Sequence, residues 1–92
     1  MDNINSENTE KKKLDKVVDE FSHEMKMRLF KKVDEGYKGW DDNKYQHKIL
    51  EDLKSNIHLV ELIIDRQPTA SKKKLIDIAN RAMMLARFCE EE

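Results

Sequence analysis

Three polar residues near the C-terminal end of the chain have the types and spacing of a ligand-binding group. Asp77, Asn80 and Arg81 lie at positions i, i+3 and i+4 of a segment with helical periodicity, so they share one helical face. An asparagine amide can hydrogen-bond to a base edge, and an arginine guanidinium can pair with a phosphate. The alternative is that Asp77 and Arg81 form an ion pair within the helix, worth about 0.2–0.5 kcal/mol, and bind nothing.

Further candidate residues lie earlier in the chain and at the start of the same helix. Trp40, in a glycine-containing segment, can stack on a base, and Lys38 can meet a phosphate; a tryptophan that covers a small core and a solvated lysine are the alternatives. Lys74, in the lysine run 72–74, can pair with phosphate or be solvated. Asn56 lies on an uncharged side of the predicted second helix. If that side faces the three polar residues above, all these side chains line one small-molecule pocket.

Other catalytic and metal-binding patterns are missing from the sequence. His23, His47 and His58 lack metal-ligand spacing to one another and to Cys89, which argues against a zinc site. No glycine-rich phosphate loop, serine nucleophile motif or cysteine–histidine signature is present, and a single cysteine forms no internal disulfide. The sequence therefore predicts no catalytic residue, no bound metal and no other cofactor.

Helices must position these residues, because apolar residues recur at three- and four-residue spacing while glycine and proline are scarce. The first predicted helix spans residues 10 to 35 and ends at Gly36. The second spans residues 43 to 65 and ends before Pro68, and the third follows Ser71 as N-cap and reaches Cys89. Residues 1–9 are predicted as a flexible tail, and residues 10–92 as a single all-α domain, a bundle of three main helices.

The second helix has a second side that is uncharged and partly apolar. Opposite its apolar arc, the third helix has a mixed row of side chains, the polar row: Asp77, Asn80, Arg81, Met84 and Phe88. The predicted core stripe of the second helix consists of Ile49, Leu50, Leu53, Ile57, Val60 and Ile64. The predicted apolar arc of the third consists of Leu75, Ile76, Ile78, Ala79, Ala82, Met83, Leu85, Ala86 and Cys89. So much apolar surface predicts a homo-oligomer or a pocket, with a crowded small core as the alternative. We expect at least a dimer built by these two helices, which covers Leu59, Leu62, Met84 and Phe88.

The order of these segments is similar to a known family. Tyr37, Lys38, Gly39 and Trp40, a leucine- and isoleucine-rich helix, and the run from Asp77 to Met84 together resemble the MazG-like nucleoside triphosphate pyrophosphohydrolases over about residues 21 to 88. The resemblance implies a helical bundle that forms intertwined dimers or tetramers, with nucleotide sites between helices. Small members of the family are frequent in phage genomes. The resemblance also implies a cluster of acids, on two helices, that holds magnesium.

Most of these acids have no counterpart in the chain. When Leu53 and Ile64 set the alignment, the acids of the first metal-binding helix fall on Ser55, Asn56 and Leu59. The pair on the following helix falls on Lys74 and Asp77, so one acid survives. An alignment shifted by one turn gives Glu51, Asp52 and Ser55 but loses the apolar match. Magnesium-dependent hydrolysis is therefore expected only if Asp52 and Asp77 suffice as ligands.

Composition limits the function further. Charged residues make up 40% of the chain but nearly cancel to a net charge of −1, which argues against general DNA or RNA binding. Without a signal segment or a long apolar stretch, the chain is predicted to be cytoplasmic, in the host cytoplasm if it is viral, and to have no membrane partner. The favoured function is non-catalytic binding of a nucleotide or nucleotide-derived ligand by an oligomeric MazG-like protein, as in a phage protein that sequesters a nucleotide signal. The alternatives are a magnesium-dependent nucleoside triphosphate pyrophosphohydrolase with a reduced acid set and a helical protein-interaction module.

Overall fold

The computed structural model describes the backbone of residues 2–89 and the side chains of residues 7–89. In this range the chain forms helix α1 (Asp2–Asp34), a short 3-10 helix (Asn43–Tyr45), helix α2 (Gln46–Ile63) and helix α3 (Pro68–Cys89). No strand occurs within these residues. The predicted all-α class with three main helices is confirmed.

Helix α1 begins at Asp2 rather than at Glu10. The early residues lack apolar periodicity, which is why they were predicted as a tail, yet the segment contains no glycine or proline before Gly36 that would stop a helix. The helix therefore runs through the polar segment as far as Asp34. Lys31 and Lys32 in its last turn stabilise the negative end of the helix dipole.

A Schellman motif ends α1. The Gly36 N–H donates to the Val33 carbonyl at 2.9 Å, and the Tyr37 N–H donates to the Lys32 carbonyl at 2.8 Å. Gly36 has a φ of 97°, a left-handed conformation that glycine adopts at the lowest cost. The motif therefore fixes the direction in which the chain leaves α1, and it fixes Tyr37 next to the helix end.

Helices α2 and α3 form a hairpin with a short connection, residues 64–67. Pro68 occupies the first position of α3, where its missing N–H costs nothing, and the Ser71 N–H donates to the Gln67 carbonyl at 2.9 Å. The prediction of Ser71 as the N-cap is therefore wrong, because proline's fixed φ lets the helix start at Pro68, four residues before the start at Lys72 that this cap implies. Ser71 lies instead inside the first turn and is buried.

The core lies between α2 and α3, and α1 packs against α3. Its buried apolar side chains are Ile49, Val60, Ile76 and Met84. Helix α3 does not turn the whole predicted apolar arc inward: Leu75 and Met83 are exposed, whereas Asp77 and Asn80 of the polar row are buried. Helix α1 supplies hydrogen-bond partners for both of these buried side chains. Met84, which was expected at an interface between chains, belongs to this core.

Candidate functional site

Asp77 is held by a residue of α1. The Arg28 Nε donates to Asp77 Oδ1 at 2.9 Å, and Arg28 Nη2 donates to Oδ2 at 3.1 Å, so the guanidinium grips both carboxylate oxygens. The Asp77 side chain is 10% exposed. The hydrogen bond to Asp77 raises the pKa of Arg28, and burial opposes this in part. Sequence patterns did not single out Arg28, because its pairing depends on how α1 crosses α3.

Asn80 also joins α1 to α3. Its Nδ2 donates to the Met25 carbonyl of α1 at 3.3 Å, and the side chain is buried. Within the described residues, its Oδ1 atom has no hydrogen-bond partner. The side-chain hydrogen bonds of Asp77 and Asn80 are thus with α1, rather than with the uncharged side of α2 that the sequence suggested.

Arg81 does not form the ion pair that was the alternative interpretation of the polar row. Its Nη1 donates to the backbone carbonyl of Asp77 at 3.4 Å, while the Asp77 carboxylate is bound to Arg28. Arg81 borders a cavity of about 20 Å³ together with Lys32 and Tyr37. A space of this size holds about one water molecule, not a nucleotide.

A larger cavity of about 230 Å³ lies beside the segment that connects α1 to α2. Three aromatic rings, two lysines, one aliphatic side chain and one carboxylate border it: Tyr37, Trp40, Tyr45, Lys38, Lys48, Ile49 and Asp52. Aromatic faces are suited to stacking on a planar ring, and lysine ammonium groups are suited to anions. Two of the predicted binding residues, Lys38 and Trp40, are brought together here.

Local backbone structure places these rings. Tyr37 is the last residue of the Schellman motif, and Tyr45 ends the 3-10 helix, whose N-cap Asp42 accepts the Lys44 N–H through Oδ1 at 3.0 Å. Gly39 has a φ of 84°, and a Cβ atom at this position would lie 3.7 Å from the Tyr45 ring. The tight turn thus brings the aromatic residues to one side of the connection.

Tyr37 borders both the small cavity and the larger one. It therefore links the predicted polar residues on α3 with the predicted residues of the connecting segment. Tyr37, Tyr45 and Lys48 were not among the predicted site residues. The sequence does show two tyrosines close to the loop tryptophan. It does not show that the three rings share a cavity, because this depends on where α1 ends and how the chain leaves it.

Asn56 and Lys74, the remaining predicted residues, are both half-buried and border neither cavity. A third cavity of about 180 Å³ is bordered by Trp40 and Phe88. The predicted single pocket is thus divided: Asp77, Asn80 and Arg81 lie at the small cavity, and Lys38 and Trp40 at the larger one.

The two acids that remained as candidate magnesium ligands each have a basic partner. Asp77 is paired with Arg28, and Asp52 accepts from Lys48 Nζ at 3.0 Å. In the described part of the chain, histidine, cysteine and acidic side chains nowhere form a group of three that could hold a metal ion. Nor does any described helix combine the length and apolar character needed to cross a membrane.

Comparison of the chain with protein-family models, with curated proteins and with solved structures finds no match. The MazG-like resemblance therefore stays a prediction that rests on the residues given for it.

Proposed function

We propose that this protein binds a nucleotide or nucleotide-derived ligand without hydrolysing it, in the cavity beside the connection between α1 and α2. The observation that carries the proposal is the composition of that cavity, in which Tyr37, Trp40 and Tyr45 lie close to Lys38 and Lys48. Aromatic rings together with cationic groups suit a ligand that is planar at one end and anionic at the other. A nucleotide has this combination.

The size of the cavity suits part of such a ligand. Its volume of about 230 Å³ is somewhat below the roughly 300 Å³ at which drug-sized pockets begin, so it would hold the base while the phosphates extend toward solvent. Trp40 is half-buried and can stack on the base, and Lys38 is exposed and can follow the phosphates. Lys48 is paired with Asp52, and a phosphate would compete for its ammonium group.

The pairing of the acids supports a binder rather than an enzyme. A magnesium site needs carboxylate oxygens that face the metal and the substrate phosphates. Arg28 donates to both carboxylate oxygens of Asp77. If this carboxylate turned to a metal ion, the Arg28 guanidinium would lose its partner. The magnesium-dependent pyrophosphohydrolase is therefore the second candidate.

The biological setting belongs to the same proposal. The resemblance to MazG-like proteins favours a homo-oligomer in the cytoplasm, in the host cell if the chain comes from a phage, where it would sequester a nucleotide signal. Leu59 and Leu62 of α2 are exposed, which supports association through α2.

Fluorescence provides a direct test, because Trp40 is the chain's only tryptophan and borders the cavity. Nucleoside mono- and triphosphates and cyclic nucleotides are titrated while tryptophan emission is followed, with and without magnesium. We expect at least one nucleotide to change the emission and to raise the melting temperature, since a ligand at 100 times its Kd adds about 2.7 kcal/mol of stability.

A matched pair of variants locates the site. Lys38→Ala should weaken the binding several-fold, whereas Lys54→Ala, which removes an exposed lysine outside the cavity, should not. The proposal is wrong if no nucleotide changes either the emission or the melting temperature. Equal affinities of the two variants would mean that the ligand binds elsewhere.

A further inference from the structure

Of the described residues that border the larger cavity, Asp52 is the only one with a carboxylate. It lies three residues after Ile49 and four after Lys48 in α2, so the three side chains reach the cavity from one face of this helix. The Asp52 side chain is 35% exposed, whereas that of Lys48 is 71% exposed. The carboxylate is therefore the more buried of the two charged groups, and the ammonium group is the one closer to solvent.

The ion pair with Lys48 leaves the Asp52 carboxylate open to exchange. Lys48 Nζ donates to Oδ1 at 3.0 Å, and no hydrogen bond from another described group reaches Oδ2. The base precedes the acid by four residues, which is the less favourable order for an ion pair within a helix, and exposed pairs contribute little to stability. If a phosphate takes the Lys48 ammonium group, both oxygens of Asp52 can accept hydrogen bonds from another part of the same ligand.

We propose that Asp52 makes this cavity selective for guanine among the nucleotide bases. The inference rests on the proposed function, since it requires a nucleotide in the cavity. An ionised carboxylate only accepts hydrogen bonds, and its two oxygens fit two adjacent N–H donors. Guanine has such a pair on one edge, the N1–H and the 2-amino group. Adenine and cytosine have a ring-nitrogen acceptor beside their amino group, and uracil and thymine have carbonyl oxygens on both sides of N3–H, so each would turn an acceptor toward the carboxylate.

The other groups of the cavity do not distinguish the bases in this way. Stacking on Tyr37, Trp40 or Tyr45 tolerates any base, because every base has a π-face. The tyrosine hydroxyls both donate and accept hydrogen bonds, so they match either kind of edge atom. Lysine ammonium groups suit the phosphates, which all nucleotides share. The choice of base therefore depends on Asp52.

The test is isothermal titration calorimetry on the whole chain with the 5′-monophosphates and 5′-triphosphates of guanosine, inosine and adenosine. Inosine has the N1–H of guanosine but lacks the 2-amino group, and adenosine has an acceptor at N1. The wild-type chain should bind the guanosine nucleotides at least about tenfold more tightly than the inosine nucleotides. The adenosine nucleotides should bind more weakly still, because their N1 would face the carboxylate.

A pair of variants assigns the selectivity to one side chain. Asp52→Asn keeps the shape of the carboxylate but replaces one acceptor by a donor, which matches the adjacent acceptor and amino group of adenine. It should remove the preference for guanosine over inosine and shift the ratio of guanosine to adenosine affinity toward adenosine by at least about tenfold. Glu51→Gln removes the same charge at an exposed neighbouring position outside the cavity, and it should leave both ratios unchanged. Ratios are compared because the release of Lys48 changes phosphate binding for every base alike.

Several results would overturn the inference. Equal affinities of the wild-type chain for the three bases would do so and leave the proposed function standing, and this comparison needs no variant. A guanine preference that survives Asp52→Asn, with circular dichroism showing an intact fold, would mean that another group selects the base. An equal loss of affinity for all three bases would indicate a contact to the ribose instead. If no nucleotide binds at all, the proposed function fails as well.

Discussion

Arg28 and Asp77 lie 49 residues apart in the chain and form a two-point ion pair, with donor–acceptor distances of 2.9 and 3.1 Å. The pair attaches α1 to α3 close to the point where Asn80 binds the Met25 carbonyl. The carboxylate that the family resemblance would give to magnesium thus serves in this chain to hold two helices together. Replacing Asp77 should therefore lower the free energy of unfolding, whether or not it changes any activity.

A double-mutant cycle measures the strength of this pair. We expect Arg28→Ala and Asp77→Ala to have a coupling energy of about 1–2 kcal/mol, below the cost of about 3–5 kcal/mol for breaking a fully buried pair, because Arg28 is 35% exposed. Urea unfolding of the four chains gives the value. The more exposed pair Lys72–Glu24, at 2.9 Å, is the matched control and should couple by about 0–1 kcal/mol. Equal coupling in both pairs would contradict the expectation.

The pH dependence of stability should not involve Arg28. A raised pKa in the folded state means that Arg28 contributes stability below its unfolded pKa and loses it only as the pH rises through the folded value. Both values lie far above neutrality. The stability difference between the wild-type chain and Arg28→Ala should therefore be constant between about pH 6 and pH 10. Urea midpoints of both chains across this range provide the check, and a difference that shrinks toward pH 9 would disagree.

Ser71→Ala should stabilise the protein or leave it unchanged. The Ser71 side chain is buried, and within the described residues its hydroxyl oxygen has no hydrogen-bond partner, a situation that costs about 1–3 kcal/mol. If Ser71 were the N-cap of α3, the same substitution would cost about 0.5–2 kcal/mol instead. The sign of the change in thermal or urea stability separates the two, and exposed Ser55→Ala serves as the control.

Gly36→Ala should destabilise the chain by about 1–2 kcal/mol. Gly36 has a φ of 97°, and no atom lies within 4 Å of a Cβ placed there, so the cost is one of backbone conformation rather than of steric overlap. Gly36→Asn should lose less, because asparagine tolerates the left-handed region better. Circular dichroism melts of the two variants measure the difference. Identical melting temperatures for the wild-type chain and Gly36→Ala would show that the turn adopts another conformation.

No magnesium-dependent release of pyrophosphate is expected from the common nucleoside triphosphates. Both remaining acids are paired with bases, and Ser55, Asn56, Leu59 and Lys74 occupy positions where the resemblance would place acids. A coupled pyrophosphate assay with an active family enzyme as positive control tests this. Turnover that a chelator abolishes, and that Asp52→Asn removes while the chain stays folded, would establish the enzyme alternative.

The sequence predicted the three main helices and where they end, because helical periodicity and breaking residues act locally, but it did not predict the start of α1 at Asp2. The end of α1 at Gly36 and the end of α2 before Pro68 follow from such local rules. The start of α3 was missed, since both Pro68 at the first position and Ser71 as a cap obey the local rules. Packing against α2 makes Ser71 a buried side chain instead.

The candidate site was predicted only in part, for reasons that concern the orientation of α3. An apolar arc normally turns toward the core, and on that basis the face with Asp77 and Asn80 was expected to line a pocket beside α2. Instead, this face lies toward α1, because Arg28 binds the Asp77 carboxylate and the Met25 carbonyl accepts from the Asn80 amide. Pairings across 49 and 55 residues leave no local pattern in a single sequence.

The Schellman motif makes the last turn of α1 and one wall of the larger cavity a single unit of local unfolding. The Tyr37 amide is bonded to the Lys32 carbonyl, and the Tyr37 ring borders the cavity, so we expect opening of the amide to solvent to release the ring from its position as well. Hydrogen exchange at this one amide therefore reports the opening free energy of the wall. A ligand that binds only while the wall is closed would slow this exchange by the factor 1 + [L]/Kd. The exchange rate of the Tyr37 amide would then report binding of an unlabelled ligand.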